Sequence, residues 1–253
     1  MHSWTWLQDA DEPFGWFRGT FVLRSDGVLL CHSACAAGSG SGWWIFDRFA
    51  EGTDLETVIA VVAEKGYEYL VDVDAAQAFA RERHRGQLRK GTRVRYIVHP
   101  QRVAKALARH YPSDTALTAA GWLHDTLEDT ATTAEELEQA FGPKVRRLVQ
   151  AVTKGEDGAF QMPSDPDAVR LKTADALDNV TFTLRGLRRG EPVFERFKAG
   201  YCKYDYWLAI ARAARGALGD EPLVVELDGS LAKVGVFVPS DRDCSDSGML
   251  APR

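Results

Sequence analysis

The sequence predicts a mainly α-helical fold: an orthogonal helical bundle with a small α+β region at its N-terminus and a β-hairpin at its C-terminus. Three observations predict it. Apolar residues recur at helical spacing from about residue 74 to residue 218, short links join the predicted helices, and β-branched or aromatic runs flank this segment on both sides. We therefore expect an α+β region over residues 1–70, a helical domain over 71–218, a hairpin over 219–239 and a flexible tail over 240–253.

The α+β region is predicted from its turn and capping residues. Asp26-Gly27 separates two apolar runs, which is typical of a β-hairpin. The aromatic run at 43–46 indicates a third strand. Thr53 or Asp54 can cap a helix that ends near Gly66.

The central segment predicts seven helices, most of them with a recognisable start. The first covers 75–88, Pro100 opens the second, and Ser113 caps a third that continues to Leu127. The remaining starts are the capping box of Thr132 and Glu135, Pro143 after Gly142, Asp165-Pro166, and Glu191-Pro192. Beyond the bundle, two Val-rich runs on either side of Asp228-Gly229 predict the hairpin.

Composition excludes several classes of protein. The chain has 36 acidic and 31 basic residues, a net charge of -5, which argues against binding to a nucleic acid polymer. No apolar run approaches the roughly 18 residues that cross a membrane, and the N-terminus has no secretory pattern. Four Cys are too few for a disulfide framework in 253 residues, so we expect reduced thiols and a cytoplasmic location. The Trp-rich N-terminus predicts core packing or a contact between copies, which leaves a homo-oligomer open.

Positive charge is concentrated in one part of this acidic chain. Residues 81–109 contain ten basic residues and one acidic residue. Such an island indicates either a local anionic partner, such as the phosphates of a small molecule, or a solvated helix face.

The strongest local signal is HDTLED at 124–129. On a continuous helix, His124 lies over Glu128, and Asp125 lies over Asp129, because residues four apart share a face. Three carboxylates at this density repel one another. A divalent cation would compensate their negative charge. The alternative is that this segment is an exposed acidic helix end.

Two further residues extend this set. His99 stands before a proline-started helix, and Asp175 interrupts an apolar stripe. A buried carboxylate needs a partner, either a metal or a salt bridge to Lys172 or Arg170. Two imidazoles and two carboxylates suit Mn, Fe, Zn or Co better than Ca, and such a metal lowers the pKa of a water molecule and neutralises a phosphate oxygen. The four candidate ligands are His99, His124, Asp125 and Asp175.

The order of a His, a His-Asp pair and a distant Asp resembles the HD-superfamily metal-dependent phosphohydrolases. More narrowly, the chain resembles the hydrolase domain of the RelA/SpoT homologue family, in its stand-alone small form, which removes the 3′-pyrophosphate of (p)ppGpp. The matching segments are HRGQLRK at 84–90, YIVHPQRVA at 96–104, AGWLHDTLEDT at 120–130, FGPKVRRLVQAVTK at 141–154 and KTADALDNV at 172–180.

The resemblance implies a cofactor, a substrate and roles for individual residues. The cofactor would be Mn²⁺, with another divalent transition metal as the alternative, and the substrate a phosphorylated nucleotide. His99, His124, Asp125 and Asp175 match the family's metal ligands. Glu128 and Asp129 match its acidic pair, which positions and activates the attacking water. The implied substrate contacts are Arg89, Lys90, Tyr96, Lys172 and Asn179.

The sequence also departs from the family. Ala176 and Asp178 stand where the family usually has Arg and His, and residues 155–167 replace a segment that shapes the nucleotide pocket. These departures leave two alternatives open. One is a phosphomonoesterase that acts on a 2′-, 3′- or 5′-phosphate of another nucleotide, and the other is a non-catalytic nucleotide sensor. An HD-type di-iron oxygenase would need more His ligands than the chain supplies near the motif.

Overall fold

The structure is a computed structural model that describes residues 2–9, 16–34, 42–65, 67–154 and 162–244. The chain divides into two compact units, Met1–Val73 with Thr133–Arg146 and Asp74–Thr132 with Arg147–Arg253. The fold is mainly helical with an antiparallel sheet, as predicted. Within the described ranges, no helix has the length and apolar character to span a membrane.

The first unit contains a five-stranded antiparallel sheet with the strand order β4-β3-β2-β1-β5. Its strands are β1 (His2–Asp9), β2 (Trp16–Leu23), β3 (Val28–Ala34), β4 (Gly42–Arg48) and β5 (Tyr67–Leu70). Strands β2 to β4 coincide with the three predicted ones. The sequence analysis missed β1 and β5, which pair with each other although about sixty residues separate them.

Alternation along the strands gives the sheet one buried face. Phe21 and Leu23 on β2, and Leu29 and Cys31 on β3, join one hydrophobic core with Trp6 of β1. Helix α1 (Leu55–Glu64) covers that core. The Asp54 side chain caps the N-terminus of this helix by accepting a hydrogen bond from the Thr57 amide. Burial raises the pKa of the Cys31 thiol to about 11.

The remaining helices are α2 (Val73–Arg83), α3 (Val98–His110), α4 (Thr115–Leu123), α5 (Thr126–Asp129), α6 (Ala134–Phe141), α7 (Pro143–Val152), α8 (Pro166–Leu187), α9 (Cys202–Leu218) and α10 (Pro222–Gly235). Helix α8 occupies the centre of the second unit, where it packs against α3, α4, α9 and α10. The Asp165 side chain caps it and Pro166 stands in its first turn, as the sequence predicted. Because α8 has neighbours on several sides, its polar residues are held inside the bundle.

The predicted C-terminal hairpin over 219–239 is wrong, because Pro222–Gly235 is helix α10. Leu223, Leu227, Leu231 and Val234 recur at helical spacing and are buried. The Val-rich runs favour a strand locally, but packing against α8 and α9 determines the outcome. The expected Asp228-Gly229 turn lies inside the helix. Of the predicted tail, residues 245–253 lie outside the described residues.

Several helix boundaries also differ from the predictions. The third predicted helix is interrupted: α4 ends at Leu123 and α5 starts at Thr126. The predicted seventh helix begins instead as a short 3₁₀ turn, Val193–Arg196, and α9 starts only at Cys202. Thr133, not Thr132, caps α6, and Asp114, not Ser113, caps α4.

The prediction that all four cysteines are reduced is also wrong, because Cys202 and Cys244 form a disulfide. The two residues are 42 positions apart, and their Cα atoms lie 5.5 Å from each other. Only the tertiary fold brings them together, so spacing along the sequence could not indicate the pair.

Gly121 sets the distance between α3 and α4. A Cβ atom at this position would lie 2.8 Å from the Cα atom of Ala104 and 2.9 Å from Cδ1 of Leu107.

We expect Gly121→Ala to destabilise the protein by about 1–3 kcal/mol, because the backbone of α3 cannot retreat from the added methyl group. Gly216→Ala in α9 is the matched control, since nothing lies within 4 Å of its Cβ position. This control should stabilise the helix by up to roughly 1 kcal/mol. Urea unfolding measures both, and equal effects would contradict the close approach.

Candidate active site

Four ligand atoms from three parts of the second unit converge on one point. His99 lies in the first turn of α3, His124 and Asp125 form the link between α4 and α5, and Asp175 lies on α8. The Nε2 atoms of the two histidines are 3.2 Å apart. Asp125 Oδ2 lies 3.0 Å from His124 Nε2 and 3.4 Å from His99 Nε2. Asp175 Oδ1 lies 3.3 Å from His99 Nε2 and 3.9 Å from His124 Nε2.

The interruption between α4 and α5 produces part of this convergence. Asp125 has φ -98° and ψ -1°, a bridge-region conformation that many active-site residues adopt. The expectation of one continuous helix is therefore wrong, although Asp125 still lies one turn before Asp129, whose amide donates to its carbonyl oxygen at 2.9 Å. The link instead directs the neighbouring His124 and Asp125 side chains to the same point.

The second nitrogen of each imidazole is already engaged. His124 Nδ1 lies 3.0 Å from the carbonyl oxygen of Gly121, and His99 Nδ1 lies 2.7 Å from Asp178 Oδ2. Both partners are acceptors, so in the neutral rings Nδ1 carries the proton and Nε2 presents a lone pair. Two such lone pairs at 3.2 Å, with two carboxylate oxygens beside them, fit a bound cation. Both histidines are only 3 % exposed. The donor set suits a divalent transition metal.

The charges of the site depend on one another. Burial lowers the pKa of His99, but hydrogen bonds with Asp125, Asp175 and Asp178 outweigh it and raise that pKa well above its usual value. Burial raises the pKa of Asp175, but the ammonium group of Lys172 and the two histidines hold it well below its usual range. The carboxylates therefore stay ionised and require positive charge, which either protons or a metal can supply.

Most of the predicted substrate contacts support this centre. The Tyr96 hydroxyl donates to Asp125 Oδ2 at 2.5 Å, and burial raises the pKa of Tyr96 far above its usual value. Lys172 Nζ donates to Asp175 Oδ2 at 2.8 Å, and Asn179 Nδ2 donates to Asp175 Oδ1 at 2.6 Å. The salt bridge to Lys172 that the sequence left as an alternative for Asp175 thus coexists with its place among the candidate ligands.

Arg89 is held inside the bundle. Its guanidinium group donates to Asp178 Oδ2 at 2.7 Å and to Asn179 Oδ1 at 2.9 Å, and it stacks on the Phe182 ring at 3.9 Å. Asp178, which stands where the family usually has His, accepts from both Arg89 and His99. It therefore positions a candidate metal ligand and a basic side chain.

A cleft of about 260 Å³ opens beside the four candidate ligands. It contains both members of the acidic pair. Glu128 is bound by Lys154, whose amide reaches Oε1 at 3.0 Å and whose Nζ reaches Oε2 at 2.8 Å. Partial burial and the neighbouring charge of Asp125 raise the pKa of Asp129. Ala176 also lines the cleft, so the Arg that is usual in the family is replaced by a methyl group on its wall.

Several cleft residues were missed from the sequence. Lys154, Arg196 and Lys203 add positive charge to that of Arg89, Lys90 and Lys172. Lys203 Nζ lies 3.9 Å above the Tyr206 ring, and burial lowers its pKa to about 8. The sequence shows Lys203 only as one polar residue among aromatic ones, with no motif around it. The replaced segment 155–167 lies mostly outside the described residues, which resume at Met162.

Comparison with known proteins agrees with this arrangement. The family model described as "HD domain" matches residues 76–169. Human MESH1, named a guanosine-3′,5′-bis(diphosphate) 3′-pyrophosphohydrolase, is 41% identical over 129 residues, which cover 46% of this chain and 70% of MESH1. An Aquifex aeolicus protein with the same enzyme name is 38% identical over 126 residues, but these span only 18% of its length and 45% of this chain.

A solved structure gives the same result at the level of the fold. It is described as a metazoan ortholog of SpoT that hydrolyses ppGpp, and it superposes with a TM-score of 0.52 at 26% identity. The match covers 65% of this chain and 96% of that protein. A helical bundle that brings two His and two Asp together beside one cleft, which three of them line, is typical of a metal-dependent phosphohydrolase. The chain belongs to the HD-domain family, together with MESH1 and its SpoT-like relatives.

The first test of the centre is removal of its α8 ligand. We expect Asp175→Ala, and the isosteric Asp175→Asn, to lose bound Mn²⁺ while the helical content stays unchanged. Asp167→Ala, in the first turn of the same helix, is the control and should retain the metal. Elemental analysis after dialysis measures occupancy, and circular dichroism reports the fold. Full occupancy in both Asp175 variants would remove this residue from the ligand set.

The second test is the pH dependence of metal binding. The raised pKa values of His99 and His124 mean that the metal-free centre holds protons more tightly than free imidazoles do, and a metal must displace them. Affinity for Mn²⁺ should therefore fall as pH is lowered, by about tenfold per pH unit for each displaced proton. Calorimetric titration in two buffers of different ionisation enthalpy counts those protons. An affinity that does not change between about pH 6 and pH 8 would contradict the shared site.

Proposed function

We propose that the protein hydrolyses the 3′-pyrophosphate of a (p)ppGpp-like nucleotide, with Mn²⁺ as cofactor. The cytoplasmic location stays a prediction, and the disulfide between Cys202 and Cys244 removes the reduced thiols on which it rested. The observation that carries the proposed hydrolysis is a cleft in which three of the four candidate ligands, His99, Asp125 and Asp175, lie together with the acidic pair and six basic side chains. Human MESH1 and the Aquifex relative carry the same activity in their names. Another divalent transition metal would fit the same donor set.

The two residues of the acidic pair have different roles: one accepts a proton, and the other positions a basic side chain. A divalent cation at the centre would polarise a phosphate oxygen and make a water molecule more acidic. Asp129, whose pKa is raised, suits the role of general base that accepts the proton of the attacking water. Both oxygens of Glu128 are engaged by Lys154, so Glu128 fixes that lysine at the cleft.

The basic residues of the cleft provide the phosphate contacts. Arg89 and Lys172 are already committed to Asp178 and Asp175. Lys90 and Lys203 have no carboxylate partner in the part of the chain that the structure describes, so they are available for phosphate oxygens. The rings of Phe182 and Tyr206 line the same cleft and offer apolar faces for a nucleobase.

One observation favours a second candidate, a nucleotide phosphomonoesterase with the same centre. Ala176 removes a positive charge from the cleft wall relative to the family pattern, and Asp178 accepts from Arg89 and His99, away from the lining. A cleft with one cation fewer suits a substrate with fewer phosphate charges. The sensor alternative is disfavoured because Glu128 and Asp129 both reach the cleft.

The homo-oligomer left open by the sequence has support from the first unit. Trp43, Trp44 and Ile45 are 55%, 43% and 51% exposed, and they lie on β4 at the edge of the sheet. Exposed aromatics on an edge strand are typical of a contact between protein copies. We keep self-association as a prediction.

Conservative variants of the acidic pair separate the two roles. Asp129→Asn should reduce kcat by a factor on the order of 10² or more, because the amide cannot accept the proton of water. Glu128→Gln keeps its shape but weakens its contact with Lys154, so we expect a smaller loss of kcat and a higher KM. Metal content should stay normal in both. A larger loss of kcat in Glu128→Gln than in Asp129→Asn would assign the base to Glu128.

Product analysis tests the function directly. The Mn²⁺-loaded protein is incubated with ppGpp, pppGpp, NADPH and a panel of nucleoside phosphates, and the products are separated by chromatography. We expect pyrophosphate with GDP from ppGpp and with GTP from pppGpp. Orthophosphate from another nucleotide, with ppGpp intact, would establish the phosphomonoesterase instead. Absence of turnover with every divalent metal would overturn both enzyme proposals.

A further inference from the structure

A second groove, separate from the cleft, lies between α3 and α8. It has a volume of about 190 Å³. Helix α3 contributes Arg102, Lys105 and Arg109, which stand three and four residues apart and share a face. Helix α8 contributes Asp178 and Arg185. The three α3 residues belong to the basic island at 81–109, and the proposed reaction gives them no role.

Positive charge in this groove exceeds what its carboxylates neutralise. Arg109 is paired with Glu226 of α10. Lys105 and Arg185 are exposed and have no carboxylate partner among the described residues. The nearest carboxylate oxygen to Arg102 is Asp178 Oδ1, at 3.7 Å. The groove is thus lined by four basic side chains and only two carboxylates, Asp178 and Glu226, and its unpaired positive charge lies on Lys105 and Arg185.

One of these side chains carries an unsatisfied donor. Arg102 Nη1 is buried and has no hydrogen-bond partner. A buried donor without an acceptor is energetically unfavourable, whereas a basic side chain on a fully solvated helix face has no such buried donor. An oxyanion in the groove would supply the missing acceptor and would pair with Lys105 and Arg185.

Asp178 connects this groove to the metal centre. Its Oδ1 faces Arg102 in the groove, and its Oδ2 accepts from His99 and Arg89. If Arg102 turns to an anion, Asp178 loses a neighbouring positive charge and becomes a stronger acceptor for the Nδ1 proton of His99. A stronger acceptor at Nδ1 makes the opposite nitrogen a better metal ligand.

We propose that this groove binds a phosphate-type oxyanion, either free pyrophosphate or the polyphosphate end of a nucleotide, and that its occupancy strengthens metal binding through Asp178. The coupling is reciprocal, so bound metal also strengthens anion binding. The proposal does not require that the cleft hydrolyse any particular nucleotide.

Binding stoichiometry tests the site itself. Equilibrium dialysis of radiolabelled pyrophosphate against the metal-free protein, at constant ionic strength, should show one more bound anion for the wild type than for Lys105→Ala/Arg185→Ala. The control is Arg188→Ala/Arg212→Ala, which removes the same charge from positions that do not line the groove. It should match the wild type. Equal stoichiometry and affinity in all three proteins would overturn the proposal.

A parallel titration with GTP distinguishes free pyrophosphate from the polyphosphate end of a nucleotide, because the tighter binder at this site identifies the ligand.

Metal affinity tests the coupling. Sulfate replaces pyrophosphate here, because it chelates free Mn²⁺ only weakly. Affinity for Mn²⁺ should be at least about fivefold higher in sulfate than in chloride of equal ionic strength for the wild type and the control. Lys105→Ala/Arg185→Ala should show no such gain. A gain of the same size in all three proteins, or in none of them, would overturn the coupling. If the cleft proves to have another substrate, both measurements keep their meaning.

Discussion

The second unit is organised around four electron-pair donors that meet at one point. Two imidazole nitrogens 3.2 Å apart, with two carboxylate oxygens beside them, cannot satisfy one another by hydrogen bonds alone. The arrangement holds because α3, α4 and α8 pack together and because Gly121 and Asp178 fix the other nitrogen of each ring. A cation bound at this point would complete it. The buried Lys172 holds the other oxygen of Asp175, and the Tyr96 hydroxyl donates to the same Asp125 oxygen that faces the two imidazoles.

Two carboxylates of α8 contact different groups of residues. Asp175 faces the metal centre, and Asp178, one turn further along, lies between His99, Arg89 and Arg102. A single residue that differs from the family pattern thus reaches a candidate ligand, a cleft arginine and a second basic groove. In a buried network of this kind, a substitution at one position changes the balance of charge at the others.

Much of the site was predictable from the sequence, and the fold was less so. His99, His124, Asp125 and Asp175 could be named because residues of these types in this order have few other uses, and the structure brings them together. Lys203 and Asp178 could not be given their contacts, since these depend on how α8 and α9 pack. The Val-rich end of the chain shows the same limit. Its local preference favours strands, but packing against α8 and α9 makes it a helix. The disulfide between Cys202 and Cys244 depends equally on tertiary approach.

The interruption between α4 and α5 restricts the backbone context in which the candidate ligand pair His124 and Asp125 can reach a single metal ion. Neighbouring side chains on a regular helix point about 100° apart, so a His-Asp dipeptide placed there would offer one ligand to a given point. The break at His124 and Asp125 lets both contribute. An insertion or deletion of one residue in this link would separate them, whereas surface loops elsewhere tolerate such changes. Transfer of the dipeptide to a designed helical scaffold would therefore have to include the break itself and the α3 contact at Gly121.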